Sequence, residues 1–540
     1  MTVSRRTLLA GSIAGAAAVG TGTVAWQGAD ALPPGTLGGA DVARGHRLRD
    51  GRFPEPVRVE HTDVAIIGGG IAGLSAAWAL ADAGVTEFQV LELEDRAGGN
   101  ARSGRNAVTA FPLGAHYLPI PNPEAKGVIR LLEQLGIITG WQSGKPVFDP
   151  YQLASDPEER LLRYGRWQEG LVPTTGLSDT DRHDLTAFFA AMKNFSARRD
   201  AAGRPAFAIP MALSSRDPDL LALDKISMTQ WLDEQGWRSP VLHAHVRYCC
   251  RDDYGTEPAE VSAWAGIHYF AGRRGSAANA DGDTVLTWPE GNGYLAGRMA
   301  ARMAAHIQKS RTVYRVRAED ANAVVESYDE ATKQSVRLIA KAAVLATPHF
   351  VTKRLVGGGF PIAEDFDYAP WLVANVTVDR APGGPGFGLA WDNVSWTSRS
   401  LGYVVATHQG LAPVPRATVL TWYLPLSDMA PADARRELLA RPLEHWQAMV
   451  RDDLVQTNPD LADVIRRIDI WRWGHAMIRP TPGFLWGGER EAAARPQAPL
   501  FFAHSDLSGM SIFEEANWHG TRAAAEVMAH LGLPHTAALA

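Results

Sequence analysis

The stretch Asp63–Gly84, DVAIIGGGIAGLSAAWALADAG, constrains the fold more than any other part of the 540-residue chain. Glycine weakens helices and strands by roughly 0.5–1 kcal/mol relative to alanine, yet Gly68, Gly69, Gly70 and Gly73 sit together between two apolar runs. Val64–Ile67 is a short continuous apolar run, which predicts a strand buried on both faces. Leu74–Ala83 predicts a helix whose alanines let it lie close to a sheet, with Gly84 as its stop. Phe88–Leu91 returns as a second strand and ends at Glu92. Each piece has a role in a dinucleotide-binding unit. Gly68 makes the tight turn, Gly70 lets backbone amides approach a pyrophosphate, and Gly73 lets helix and strand touch. The helix start at Ile71 and Ala72 offers unsatisfied N–H groups and partial positive charge. Glu92, 19 residues after Gly73, is placed to accept the ribose hydroxyls of an adenosine half.

The residues that follow, EDRAGGNARS, choose between dinucleotides. Arg96, Gly98, Gly99 and Arg102, with Asn100 among them, resemble the R-x-G-G signature of two-domain flavoproteins. There the glycines bring backbone against the FAD pyrophosphate and arginine assists with charge. From this point the chain resembles the flavin-containing amine oxidase superfamily, which includes monoamine, polyamine and L-amino-acid oxidases and is related to phytoene-type desaturases. The resemblance recurs in pieces. FPLGAHYL (Phe111–Leu118) resembles the loop that carries backbone past the flavin ring, with Gly114 and Ala115 at its centre. Trp288–Met303 resembles the glycine-rich turn and helix that re-enter the cofactor domain. RTVYRV (Arg311–Val316) resembles the strand whose Val313 meets the adenine, and Lys341–Pro348 the strand after it. Pro499–Met528 resembles the closing motif. There Asp506 matches the carboxylate that binds the ribitol chain, and amides near Ile512 and Phe513 point at the flavin C2 carbonyl. Charge developing at that end of the ring is stabilised by a helix N-terminus.

The resemblance also has departures. Many amine oxidases carry a lysine that holds water at flavin N5, on the strand that here reads YAPWLVANVTVDR; alignment puts Asn375 or Val376 at that place, and the chain has only eight lysines. Ile512 and Phe484 stand where paired tyrosines are expected. Gly483 rather than cysteine precedes Phe484, so the resemblance implies non-covalent FAD. His504 replaces a usual glycine. A histidine can take a proton as hydride leaves carbon. His475, in WRWGHAMIRPTPG, is the leading base candidate, with His116 and Asn375 as further catalytic candidates and His408, His504 and Asp392 behind them. For any single histidine among them the simpler reading, a hydrogen-bonded structural residue, is favoured, and Asp392 reads as well as a turn residue. No metal is expected: His243 and His245 diverge on a helix, and adjacent Cys249 and Cys250 are too close for an unstrained disulfide.

The fold class expected is α/β with an α+β substrate part: a Rossmann-like FAD-binding domain from residues 62–150, 285–360 and 497–540, and a mixed-sheet and helical substrate domain from 151–284 and 361–496. Ser4-Arg5-Arg6-Thr7-Leu8-Leu9 resembles a twin-arginine export signal, so residues 1–31 are expected to be removed and residues 32–61 to form an N-terminal extension. The expected location is periplasmic or extracellular, with the twin-arginine translocase as a transient partner and no stable membrane span after cleavage. A net charge of −6 argues against nucleic acid as a partner. The function expected is an FAD-dependent oxidoreductase that takes hydride from carbon of a small molecule, amines leading, and is reoxidised by oxygen or another acceptor. Alternatives are a desaturase or dehydrogenase on an apolar substrate, an electron-relay or assembly subunit, and non-redox flavin use.

Overall fold

The computed structural model describes residues 32–281, 283–357, 366–410 and 417–534. The signal reading of residues 1–31 lies outside them. Pro33–Ala540 make one compact unit, and among the described residues it is organised on sheets of seven and eight strands.

The glycine-rich unit folds as its pattern dictates. Strand Pro56–Ile67 runs into helix Ile71–Asp82, and strand Phe88–Leu91 returns parallel to the first. The apolar run is buried on both faces because successive side chains enter different cores: Val64 and Ile66 on one side, Ala65 and Ile67 on the other. The strand begins several residues earlier than the apolar run. Its outer half, Pro56–Thr62, holds no buried residue, Val57 and Val59 included, and pairs with the first half of strand Gln334–Leu345. Five strands are parallel, in the order Ile307–Gln308, Phe88–Leu91, Pro56–Ile67, Gln334–Leu345 and Leu500–Phe502. Their carboxyl ends are level, with Leu345 paired to both Ile67 and Phe502, and Ile67 paired to Leu91. Ligands of open α/β sheets bind at that edge. Strands Arg311–Glu319 and Asn322–Asp329 complete the sheet as an antiparallel meander leading into Gln334–Leu345. Helix Phe513–His530 lies directly on helix Ile71–Asp82; a Cβ on Gly520 would stand 2.2 Å from the Ala72 carbonyl oxygen.

The eight-stranded sheet is mixed, and its longest strands, Ile465–Ile478, Tyr368–Val378 and Thr418–Pro425, lie side by side in it. Leu37–Gly39, from the expected N-terminal extension, joins its edge parallel to Ile465–Ile478. Alternation sorts strand Tyr368–Val378 cleanly. Leu372, Ala374, Val376 and Val378 pack toward helices Pro431–Ala440 and Leu443–Thr457, while Trp371 and Val373 face the other way with Trp473, Tyr423 and Leu113. Helices Asp179–Ala197, Pro240–Tyr254 and Ala263–Ala271 form a third body around Phe188, Leu242 and Trp264. Cys249 and Cys250 are buried free thiols in Pro240–Tyr254. Among the described residues no helix is long and apolar enough to cross a membrane.

Candidate functional site

A cavity of about 1510 Å³ runs along the carboxyl ends of the parallel strands. It gathers Gly68, Gly70, Ile71, Ala72, Glu92, Gly98, Gly99, Asn100, Ala115, Val313, His475, Asp506, Ile512 and Phe513 from segments far apart in sequence. The glycines have distinct structural reasons. Gly68 turns at φ +103°, which side chains rarely adopt. A Cβ on Gly73 would stand 1.9 Å from the Gly68 carbonyl oxygen, so Gly73 lies beneath the turn rather than in the cavity wall. A Cβ on Gly70 meets nothing nearer than the Gly99 Cα at 3.9 Å; the space it would enter is the cavity. Neither Gly70 nor Ile512 caps its helix with a side chain, so two helix starts open on the cavity with uncapped amides.

A carboxylate marks each end. Glu92 is 8% exposed and accepts N–H bonds from Gly69 (2.7 Å) and Glu94 (2.8 Å). Burial pushes its pKa up against the pull of those two bonds. Asp506 accepts from the His349 amide (3.0 Å) and the Tyr368 hydroxyl (2.6 Å), and lies 2.9 Å from His504 Nδ1. Burial raises the pKa of Asp506, but these partners outweigh it and hold the carboxyl below its usual range. His504, at the position of an expected glycine, thus orients Asp506. Arg96 is not brought to the cavity: it is more than half exposed, beside Asp95 and the Ser103 carbonyl. Arg102 is the buried arginine of the segment. It donates to the Gly99 carbonyl (3.3 Å) and pairs with Glu94 (3.3 Å), which holds the glycine turn in place.

A second cavity of about 900 Å³ adjoins the first through a shared wall of Asn100, Ala115, Asn292, Ala476 and Ser511–Phe513. The loop through Gly114 and Ala115 is pinned where the two meet. Trp473 Nε1 donates to the Leu113 carbonyl (2.6 Å), the Tyr423 hydroxyl donates to the Gly114 carbonyl (3.0 Å), and a Cβ on Gly114 would stand 2.4 Å from the Asn100 carbonyl oxygen. Tyr117, Trp371, Tyr423 and Trp473 make the smaller cavity aromatic. His116 lines it with its ring 4.6 Å from that of Tyr423; burial lowers its pKa to about 3, so it is neutral near pH 7.

The same cavity holds carboxyl groups that the sequence reading passed over. Asp253 is paired with Arg273 at 2.6 Å. Asp252 is half-buried, lines the cavity and forms none of the hydrogen bonds or ion pairs found among the described residues; burial and then the charge of Asp253 raise its pKa to about 7 against the pull of Arg273. Glu514, 3% exposed, is likewise raised to about 7 by burial.

Two catalytic candidates fall outside this cavity. His475 lines the larger one, stacked on Phe350 at 4.4 Å and 5.8 Å from the Tyr368 ring, with burial lowering its pKa to about 4. Asn375 lines neither. It shares the face of Trp371 and Val373 but lies beyond the cavity's end, donating to the Pro112 carbonyl (3.2 Å) and accepting from Thr421 (2.8 Å). His408 and Asp392 line neither cavity as well, and no lysine lines either among the described residues. The missed residues had a faint signal. Asp252 and Asp253 follow Cys249 and Cys250 on a largely buried helix, where carboxylates need a reason to be.

Comparison with known proteins agrees with this architecture. The family model for flavin containing amine oxidoreductase matches residues 71–528. The flavin-containing amine oxidase of Oncorhynchus mykiss is 26% identical over 292 residues, 53% of this chain and 50% of that protein. Amine oxidase [flavin-containing] B of Sus scrofa is 25% identical over 285 residues, 52% and 49% of the two chains. The chain therefore spans about half the length of the curated relatives it matches. Among solved structures, wild-type putrescine oxidase bound to putrescine superposes with a TM-score of 0.64 at 18% identity, covering 87% of this chain and 100% of that one. Cyclohexylamine oxidase from Brevibacterium oxydans IH-35A gives 0.62 at 17% identity, over 87% and 99%. A fatty acid isomerase from P. acnes gives 0.60 at 14%, over 85% and 97%, so the fold alone does not select the reaction. With 458 consecutive positions spanned by the family model, this chain belongs to the flavin containing amine oxidoreductases.

Proposed function

We propose that the protein is an FAD-dependent amine oxidase that holds its cofactor non-covalently in the larger cavity and its substrate, as an ammonium cation, in the smaller one. The larger cavity fits a flavin dinucleotide. It presents the uncapped amides of helix Ile71–Asp82 to a pyrophosphate and those of helix Phe513–His530 to the flavin ring, and it carries buried carboxylates for the hydroxyls of a ribose and a ribityl chain. Glu92 and Asp506 would hold those two ends, and Gly70 would let the phosphates approach. Neither cysteine lines either cavity, which supports a non-covalent cofactor. When bound, the flavin supplies the hydride acceptor.

The observation that carries the amine reading is the unpaired Asp252 carboxyl in an aromatic cavity that opens onto the cofactor cavity. A buried carboxyl without a partner is costly as an anion. A cation lowers that cost, and faces of Tyr and Trp add attraction. Arg273 pairs with Asp253 rather than with Asp252, and its charge only partly offsets the burial that raises the Asp252 pKa. An apolar fatty substrate would leave Asp252 uncompensated, which disfavours the desaturase alternative. His116, neutral beside Tyr423, can accept a hydrogen bond from the substrate nitrogen. The chain's own residues thus bind the cation, orient it against the shared wall and shield it from bulk water. We also propose, from Ser4–Leu9, that the protein crosses the membrane folded through the twin-arginine translocase into a periplasmic or extracellular space.

The test is anaerobic mixing of the yellow holoprotein with benzylamine, aliphatic mono- and diamines, amino acids, polyols and unsaturated fatty acids. Bleaching of the flavin by at least one amine is expected. Bleaching by a fatty acid or polyol and by no amine would overturn the amine assignment.

A further inference from the structure

A third cavity, of about 610 Å³, lies behind the substrate cavity. Among the described residues Glu514 is the one side chain that lines both. The outer cavity is bounded by Lys126, Gly127, Leu213, Asn517 and Trp518, and Lys126 is exposed, so this cavity reaches the surface. Two polar atoms in its wall, Glu124 Oε2 and Trp518 Nε1, are buried and have no protein partner.

Resting on the amine reading of the inner cavity, we propose that Glu514 is its proton outlet, taking the proton of a bound ammonium and passing it to water in the outer cavity. The balance is simple. An N–H bond of the ammonium breaks and a carboxyl O–H forms, leaving a lone pair on nitrogen; that O–H then yields its proton to water, restoring the carboxylate. The step is needed because an ammonium has no lone pair with which to assist hydride departure from the neighbouring carbon.

The contrast with the adjacent residue singles out Glu514. Both acids are buried in the first turn of helix Phe513–His530. Glu515 is locked by the Met211 amide (2.6 Å) and the Ser508 hydroxyl (2.5 Å). Glu514 accepts a hydrogen bond from its own backbone amide but makes no ion pair among the described residues, and the charges acting on it are Arg273 and Asp253 across the inner cavity and Glu515 on its own helix. Tyr117 faces it on the inner side, Glu124 and Lys126 on the outer. Arg273 is tied to Asp253, and Glu124 to Arg274 at 2.9 Å, so neither pins Glu514. Burial places its pKa at about 7, where a carboxyl both accepts and releases a proton near neutrality.

The experiment is stopped-flow mixing of anaerobic holoenzyme with benzylamine, or the panel amine that bleaches faster, reading flavin bleaching and a pH-indicator dye together between about pH 6 and pH 9. In Glu514→Gln, bleaching and proton release are expected to slow together by ~10- to 100-fold at the acid end and to recover toward the alkaline end, where the amine arrives deprotonated. Glu514→Asp should restore most of the rate. Glu515→Gln should lower thermal stability and leave the pH profile unmoved. Leu213→Trp, which fills the outer cavity with Glu514 intact, should slow proton release and serves if Glu514→Gln does not fold. An unchanged pH profile in Glu514→Gln, or prompt proton release in Leu213→Trp, would overturn the outlet while leaving the amine reading intact. If no amine bleaches the wild type, both fall.

Discussion

Gly70 and Gly73 lie three residues apart in one motif, yet the structure requires them for different reasons, and alanine at each should separate cofactor binding from folding. Gly70 has φ −73° and ψ −176°, ordinary extended backbone that alanine adopts without strain. Its added methyl would have the Gly99 Cα at 3.9 Å as its nearest neighbour. The entropy gained from the unfolded chain, about 0.4–1 kcal/mol, offsets the poorer helix capping of alanine, also about 1 kcal/mol or less. The apo-protein of Gly70→Ala should therefore melt close to the wild type. With FAD the methyl stands between backbone amides and the pyrophosphate. Overpacking of about 1–3 kcal/mol corresponds to a Kd weakened ~5- to 150-fold. Gly73→Ala differs at the start. Its Cβ would lie 1.9 Å from the Gly68 carbonyl oxygen and 3.0 Å from the Gly68 carbonyl carbon, both backbone atoms, and no side chain can yield. Relief requires the turn to open by more than an ångström at a residue already held at φ +103°. Apo stability should fall by at least the overpacking range of about 1–3 kcal/mol, and FAD affinity with it. Thermal melts of the two apo-proteins, and titration of each with FAD followed by quenching of flavin fluorescence, read both quantities. Wild-type FAD affinity in Gly70→Ala would refute the assignment of that residue to the pyrophosphate; a wild-type melt in Gly73→Ala would refute the packing argument.

Two further outcomes follow from the buried carboxyls. Asp252→Asn should raise KM for a cationic amine ~10- to 100-fold, the worth of one charge-assisted hydrogen bond of about 1.5–3 kcal/mol, with kcat changed less; steady-state kinetics at fixed pH check it, and an unaltered KM would remove Asp252 as the cation site. The second outcome concerns pH. Folding raises the Glu514 pKa from 4.5 to about 7, so in that window the folded chain binds the proton that the unfolded chain releases. Its contribution to stability is present below pH 4.5 and is lost as pH rises through about 7. The apo-protein of Glu514→Gln should accordingly gain on the wild type as pH is raised from about 5 to about 8, and a constant difference between their melting temperatures across that range would contradict the burial.

What was legible in the sequence follows from which interactions are local. The cofactor cradle is made largely by backbone. A tight turn, a close helix–strand contact and an approaching ligand each forbid a side chain, so Gly68, Gly73 and Gly70 leave a mark in the sequence that survives any change of substrate. Glu92 and Asp506 were legible because each stands at a fixed distance from a strand end. Arg96 was not: R-x-G-G says that an arginine is near the turn, but Arg102 is the one whose neighbours, Glu94 and Trp473, bury it. The outer half of strand Pro56–Ile67 was missed because it is paired yet solvated, with even Val57 and Val59 exposed, and its mixed sequence carries no buried face.

The substrate cavity was the least legible part, and the reason is physical. Its walls come from a loop, two helices and the second sheet, and the chemistry there depends on burial rather than on residue type. An aspartate in CCRDDYG is an ordinary surface acid until the fold removes its water and gives its neighbour Asp253 to Arg273, leaving Asp252 alone. His475 reads as a base in the sequence, but the fold stacks it on Phe350 at the wall of the larger cavity, apart from the lining of the aromatic one. The same logic bears on the missing lysine. On strand Tyr368–Val378 the cavity-facing positions are Trp371 and Val373, which hold no ionisable group, and the next on that face, Asn375, is engaged by Pro112 and Thr421. Under the amine reading, proton handling would enter from another wall. The first turn of helix Phe513–His530 is the wall that combines a titratable group with a route to solvent.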